Sequence, residues 1–377
     1  MINSEISEIK KQFKHENTSI TKISGCYVDG EKTIKTKFTE TFLGMPEEET
    51  FKYFEIFKKT LSGRIGKNLI NMEFPLDSEF EGGTQHFFMQ LRNSELKDES
   101  LLDEFYNKVI EYYDYTGNYL ILLVYAAYDV PGKTKDNILM DDASDEVYSY
   151  ILCSICPVKL SKPGLSYNDE KNQFQKRIQD WVVNMPVNGF LFPAFNDRST
   201  DIHSILYYSK DSEELHNDFV EQVLGCRLPL SAGGQKESFQ AIIQETLGDE
   251  CEYEIVRDIH EKINEIIEEH NQKEIPEPLT LDKMEVKNLF AECGVEEEKL
   301  QDFDTKYEKI AGENATLLAT NVINTRVFEV KTPDVIIKVN PERADLVETK
   351  VVDGRNCLVI PINDQVEVNG IVVKPSC

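Results

Sequence analysis

No apolar run in this 377-residue chain is long enough to cross a membrane. The longest, Tyr119–Tyr128, is about half the ~20 residues that a spanning helix needs. The amino-terminal stretch MINSEISEIKKQFKHEN lacks the apolar centre of a secretion signal. Eight cysteines scattered over the whole length do not make a disulfide framework. Basic charge is scarce: 41 Lys and Arg stand against 68 Asp and Glu, a net charge of −27. A polyanion of that size repels phosphate, which excludes non-specific nucleic-acid binding by the molecule as a whole. These absences lead us to expect a soluble, cytoplasmic protein with no membrane partner.

Apolar residues make up 40% of the chain and aromatics 10%, ample for packed cores, and 377 residues exceed what one core usually organises. The expected fold class is α+β, a central antiparallel or mixed sheet with helices, followed by an acidic helical segment and a small all-β module. Four stretches are expected: 1–95, a locally basic hairpin and helix module; 96–230, the central sheet domain; 235–313, acidic and helical; and 314–377, the β module.

In the first, two strands flank Asp29-Gly30, and Pro46 opens a helix with Phe51, Phe54, Phe57 and Leu61 on one stripe. Tyr119–Val130 and Val147–Val158 read as strands on either side of a polar loop, and Phe174–Val183 reads as a helix. Pro229–Gly234 looks like a boundary. Asp282 with Glu285 forms a capping-box pattern. From Thr325 the apolar period switches to two, with turns at Asp353-Gly354 and Asn369-Gly370.

Charge is unevenly placed. Residues 245–313 carry 22 acidic and 8 basic side chains, and residues 1–70 carry 12 basic and 10 acidic. The acidic stretch reads as a solvated helical face or as a docking surface for a basic protein partner.

Two places concentrate chemistry. In GFLFPAFNDRSTDIHSILYYSK, two apolar runs flank Asn196–Asp201, a hairpin with its reactive groups at the tip. Asp197, Asp201 and His203 could contribute ligands for a divalent metal, with Arg198 beside them and Asp141, Asp142 or Asp145 supplied by the polar loop. The structural alternative is a polar turn of Asx-type bonds, with Arg198 paired to a carboxylate. No established metal spacing such as HExxH is present.

The second place is Gly63-Arg64-Ile65-Gly66-Lys67. It fits the GxxG pattern of the KH module, whose glycines let a nucleic-acid strand approach the backbone closely. Lys35 and Lys37, on one face of an earlier strand, would extend a basic surface. The alternative there is a helix stop followed by a tight turn.

Cys153 and Cys156 form a CxxC, but on a strand residues three apart point to opposite faces, so their thiols should diverge. His260 and His270 are expected to be solvated on an acidic helix.

Several stretches together resemble the domain-of-unknown-function family 4317 of bacterial proteins: SGCYVDGEKTIKTKF, PEEETFKYFEIFKKTLSG, SKPGLSYN, FPAFNDRSTDIHSILYYSK and KTPDVIIKVNPERADLVETKVVDGR. The resemblance covers nearly the whole chain and implies a cytosolic bacterial protein. No ligand or catalytic residue carries over from it, and the sequence assigns no cofactor.

Two functional expectations follow. The first is a non-catalytic interaction or regulatory protein that docks on RNA or a ribonucleoprotein through its basic amino-terminal module. The alternative is a divalent-metal-dependent hydrolase built at the Asn196–Asp201 tip.

Overall fold

The run Tyr119–Tyr128 is apolar because its strand is covered on both faces. Ile121, Leu123 and Tyr125 point into one core, and Leu120, Leu122, Val124 and Ala126 point into another. The computed structural model describes residues 1–133, 139–248, 251–313, 315–362 and 366–373, with side chains for all of these except 133 and 139–145. The chain forms two units, Met1–Ser231 and Ala232–Cys377. The break lies within the Pro229–Gly234 stretch.

In chain order, the first unit begins with α1 (Asn3–Lys11), β1 (Ile20–Val28), β2 (Ile34–Thr41), α2 (Glu47–Thr60) and β3 (Leu69–Glu73). Next come α3 (Thr84–Asn93), α4 (Glu99–Tyr112), β4 (Asn118–Lys133) and β5 (Leu139–Leu160). The short strands β6 (Leu165–Asn168), β7 (Gln173–Lys176) and β8 (Trp181–Val183) follow. The unit closes with β9 (Asn188–Phe192), β10 (Ala194–Asn196), β11 (Ser199–Asp201), β12 (Ser204–Ser209) and a π-helical segment, Phe219–Leu224.

The main sheet runs β2-β1-β4-β5-β9-β12-β3, and every pairing along it is antiparallel. One face is covered by α1 and α2 through Ile6, Ile9, Phe54 and Phe57. The other is covered by α3, α4 and the π-helical segment through Phe88, Leu91, Phe105, Val109 and Phe219. The unit is a three-layer α+β sandwich.

The expected division at residue 95 is not formed. β1 pairs with β4, and β3 pairs with β12, so the first 95 residues supply three strands to the same sheet as residues 96–230. The reason is physical: Ile20, Ile23, Cys26 and Val28 of β1 are fully buried and divide between the two cores, which a free-standing hairpin cannot provide.

The expected helix at Phe174–Val183 is instead β7, an irregular connection over 177–180 and β8. Phe174, Ile178 and Trp181 mimic helical spacing, yet all three are exposed and no core receives them. Cys153 and Cys156 point into opposite cores, as the alternation of a strand requires. Burial pushes both thiols well above the usual range.

The second unit opens with α5 (Ala232–Leu247) and α6 (Tyr253–Gln272), the latter burying Ile259, Ile263 and Ile267. It continues with β13 (Thr280–Leu281), α7 (Lys283–Glu292), α8 (Glu297–Leu300), α9 (Phe303–Ala311), β14 (Leu317–Leu318) and α10 (Ala319–Val322). The capping box at α7 is formed: the Glu285 N–H donates to Asp282 Oδ1 at 2.7 Å, and the Asp282 N–H donates to Glu285 Oε2 at 2.8 Å. Three separate hairpins follow: β15 (Phe328–Lys331) with β16 (Ile336–Val339), β17 (Glu348–Val352) with β18 (Arg355–Val359), and β19 (Val366–Val368) with β20 (Ile371–Val373). Among the described residues no helix is long and apolar enough to cross a membrane.

Candidate functional site

The hairpin tip is built as a tight structural turn. β10 and β11 pair through Asn196 and Ser199, which leaves Asp197 and Arg198 as a two-residue turn, both with positive φ (52° and 57°). Arg198 does not face the tip carboxylates. Its Nε and Nη2 donate to the two oxygens of Glu8 on α1 at 2.9 and 2.8 Å, and Nη2 also donates to the Pro131 carbonyl at 3.0 Å. Asp201 accepts from Asn196 Nδ2 at 2.6 Å and from the His203 N–H at 3.0 Å. Burial works against its ionised form, but these bonds and one from Ser204 hold its carboxyl below the usual range.

His203 turns away to Glu79, with Nδ1 2.5 Å from Oε1, and that partner raises its pKa. Ser199 donates to Glu146 at 2.6 Å, and Thr200 bonds to the same carboxylate. Asp197, Arg198, Asp201 and His203 therefore have divergent surroundings. Asp141, Asp142 and Asp145 lie outside the residues whose side chains are described. Among the described residues no group of three or more His, Cys, Asp or Glu could hold a metal ion.

The basic surface expected from the amino-terminal stretch is split. Lys35 pairs with Asp29 at 2.6 Å and Lys37 with Asp103 at 2.6 Å. Both lie on β2, one edge of the main sheet, whereas Arg64 and Lys67 precede β3, the opposite edge. Six strand spacings, about 30 Å, separate the two edges. Lys35 and Lys37 consequently do not extend the Arg64–Lys67 loop.

The loop itself differs from a KH arrangement, because it leads from α2 into an edge strand. Gly63 and Gly66 both have positive φ (131° and 74°). The Arg64 carbonyl gathers the N–H groups of Lys67, Asn68 and Leu69 at 2.9–3.1 Å, which makes the loop a compact turn.

What that turn does is carry Lys67 and Asn68 to a cavity of about 640 Å³. Its wall is drawn from three distant parts of the chain: Tyr113 to Thr116 before β4, Val187 and Asn188 at the start of β9, and residues between Ser209 and His216 from the end of β12 onward. The antiparallel order of the sheet brings these ends together.

Beneath the cavity runs a satisfied buried network. Tyr113 donates to Asn188 Oδ1 at 2.7 Å, Asn188 Nδ2 donates to Tyr207 Oη at 2.9 Å, and Tyr207 donates to the Leu215 carbonyl at 2.9 Å. Asn68 Nδ2 lies 3.1 Å from the carbonyls of both Ser209 and Lys210, which fixes the lysine-bearing loops to each other.

The His216 ring lies against Tyr113 with centroids 4.7 Å apart, and Tyr115 stacks on the Tyr113 ring at 6.0 Å. Burial lowers the pKa of His216, opposed by Glu214 and Asp114, so the imidazole faces the cavity wall as a neutral group at pH 7. His216 also has a left-handed backbone, φ 51°. Lys67 and Lys210 line the cavity with no ion pair among the described residues, and Asp114, Asp211 and Glu214 line it as well. A concave site of this size, with the rings of Tyr113, Tyr115 and His216 beside converging polar groups, suits a small molecule.

Of the expected site residues, the cavity uses Lys67 alone. Tyr113, Asn188, Lys210 and His216 carry no local signal, since Tyr113 and His216 read in sequence as ordinary helix residues and Asn188 and Lys210 as residues flanking strands. His260, expected to be solvated, is half-buried in the second unit, where it lines a separate cavity of about 470 Å³ and packs on Phe328 at 6.0 Å.

No curated protein matches the chain, and no solved structure does. The family model described as Domain of unknown function (DUF4317) matches residues 1–371, and the chain therefore belongs to that family.

Proposed function

We propose that this is a non-catalytic, cytoplasmic interaction or regulatory protein that takes a phosphate-bearing nucleoside, free or at an RNA end, in the 640 Å³ cavity of its first unit. The observation that supports this reading is that Lys67 and Lys210 both line the cavity with no ion pair among the described residues. Two lysines offer point charges to a phosphate. Asp114, Asp211 and Glu214 suit a ligand that also donates hydrogen bonds, as ribose hydroxyls and exocyclic amines do. Tyr115 and His216 supply flat surfaces for a base.

The test is a calorimetric titration with nucleoside monophosphates and, separately, with short single-stranded RNA carrying a terminal phosphate. Both arms should show affinity that falls with salt, and Lys67→Glu with Lys210→Glu should weaken binding at least about tenfold. If only RNA binds, the source is a strand end; if monophosphates bind equally, it is the free nucleotide. Silence in both arms, or a double variant that binds like the parent, overturns the reading.

A further inference from the structure

Between β5 and β9 the chain leaves the sandwich as a ribbon, Lys159–Met185, in which not one of the described residues is buried. The ribbon is nevertheless well paired along its backbone. β8 pairs with the end of β5 through Leu160 and Trp181, and β6 pairs with β7 from Leu165↔Lys176 to Asn168↔Gln173. Between them, the Ser161 N–H donates to the Asp180 carbonyl at 2.8 Å, and the Arg177 N–H donates to the Gly164 carbonyl at 2.9 Å. A two-stranded hairpin on its own is at best marginally stable in water. This one has backbone order without side-chain burial.

Its composition is wrong for a free surface. Leu165, Phe174 and Ile178 are 72–77% exposed, and Trp181, the only tryptophan of the chain, is 55% exposed. Leu160, Tyr167, Val182, Val183 and Met185 add five more large exposed side chains. Together these nine present about 1,000 Å² of surface, shared between the two faces of the ribbon by the alternation of its strands, which still leaves each face with the few hundred Å² that mark an interaction site. About 800 Å² per partner is what a standard stable interface buries. The ribbon also has open backbone edges. β8 is paired on one side only among the described residues, and so are β6 and β7.

We infer that the Lys159–Met185 ribbon is a homodimerisation arm, packed against the same ribbon of a second copy of this chain. Three observations favour a second copy over other occupants. An open antiparallel edge is self-complementary, so two β8 edges related by a twofold axis satisfy each other at once. Six of the nine exposed side chains, Leu160, Leu165, Ile178, Val182, Val183 and Met185, are aliphatic or thioether groups, whose cover is another apolar protein surface. Finally, two molecules of charge −27 repel almost everywhere, but the ribbon carries five basic and three acidic residues, a net of +2. It is a place where two copies can meet without that repulsion, with Lys and Asp available to pair across the contact.

The single tryptophan makes the test direct. Sedimentation velocity on the full chain, run with Trp181 emission over a dilution series, should give a dimer mass and a blue-shifted, poorly quenched emission. Dilution should move both towards a monomer with red-shifted emission. Phe174→Asp with Ile178→Asp should raise the dissociation constant at least about a hundredfold, while the circular dichroism spectrum stays that of the parent and the melting temperature falls only to that of the diluted, monomeric parent. A parent chain that is monomeric with freely quenched Trp181 at the highest concentration overturns the inference. So does a dimer that the double variant leaves intact, or a monomer whose ribbon carries co-purified RNA.

Discussion

His203 and His216 start from the same ordinary imidazole and are pushed in opposite directions by their surroundings. Glu79 beside His203 favours the charged ring, whereas burial at the cavity wall disfavours it for His216. The two carry opposite consequences for stability. For His216, the unfolded chain takes a proton near pH 6.5 that the native ring refuses, so stability falls as pH drops through that window. His203 contributes stability below about pH 6.5 and loses it as pH rises through its higher native value; its exposed side chain keeps that contribution small. Histidine ring NMR should show His203 titrating above the reference and His216 below it, and His216→Asn should remove part of the acid sensitivity. A His216 that titrates above the reference would sink this account and the neutral wall of the cavity with it. At this scale little of the site was legible. Lys67 was marked by its glycines, but Lys210 and His216 become neighbours of Tyr113 only through sheet pairing. Arg198 was expected to pair with a carboxylate, and its partner Glu8 lies 190 residues away on α1.

Strands and turns were far more readable than the site, because their causes are local. Asp353-Gly354 and Asn369-Gly370 have the paired positive φ values of tight hairpin turns, and the Asp282 box forms as its spacing requires. Reading failed where a local pattern had no core to serve, as in Phe174–Val183, or where a motif met a different neighbour, as in the GxxG loop that feeds a strand. Gly189 shows what such readings miss. In sequence it is one glycine before an apolar run, but it lies on β9 where a Cβ would come within 2.3 Å of the Cys153 carbonyl and 2.6 Å of Thr60 Cγ2. The helix α2 packs on the sheet there, and Thr60 Oγ1 meets Ser154 Oγ at 2.6 Å. Gly189→Ala should cost about 3 kcal/mol, because the obstructing atom is backbone that cannot swing aside. Urea unfolding of the variant measures this, and a loss below about 1 kcal/mol would mean that β9 can shift away from the Cys153 carbonyl of β5.

On the scale of the molecule, the two units divide within Pro229–Gly234, and the β1–β4 and β3–β12 pairings run across the division expected at residue 95. Apolar patterning marks how many faces a strand buries, but not which strand covers them. Charge was readable in amount and not in arrangement. In the second unit Glu261, Glu265 and Glu268 of α6 converge with Glu342 and Asp345 around a depression of about 250 Å³. Burial raises the pKa of Glu261, opposed by Arg257 and helped by the carboxylates of Asp258, Asp345 and Glu265. A carboxyl raised in the native state takes up its proton before the unfolded chain does, so the unit should gain stability as pH falls from the raised value towards about 4.5. Glu268→Gln removes one repelling charge from an exposed position. It should stabilise the unit at pH 7 by about 0.5 kcal/mol at low salt, with the gain shrinking as salt screens the cluster. Thermal melts at pH 7 and pH 5, at low and high salt, separate these effects. A variant that is less stable at low salt would show that the cluster attracts a partner charge instead of repelling itself.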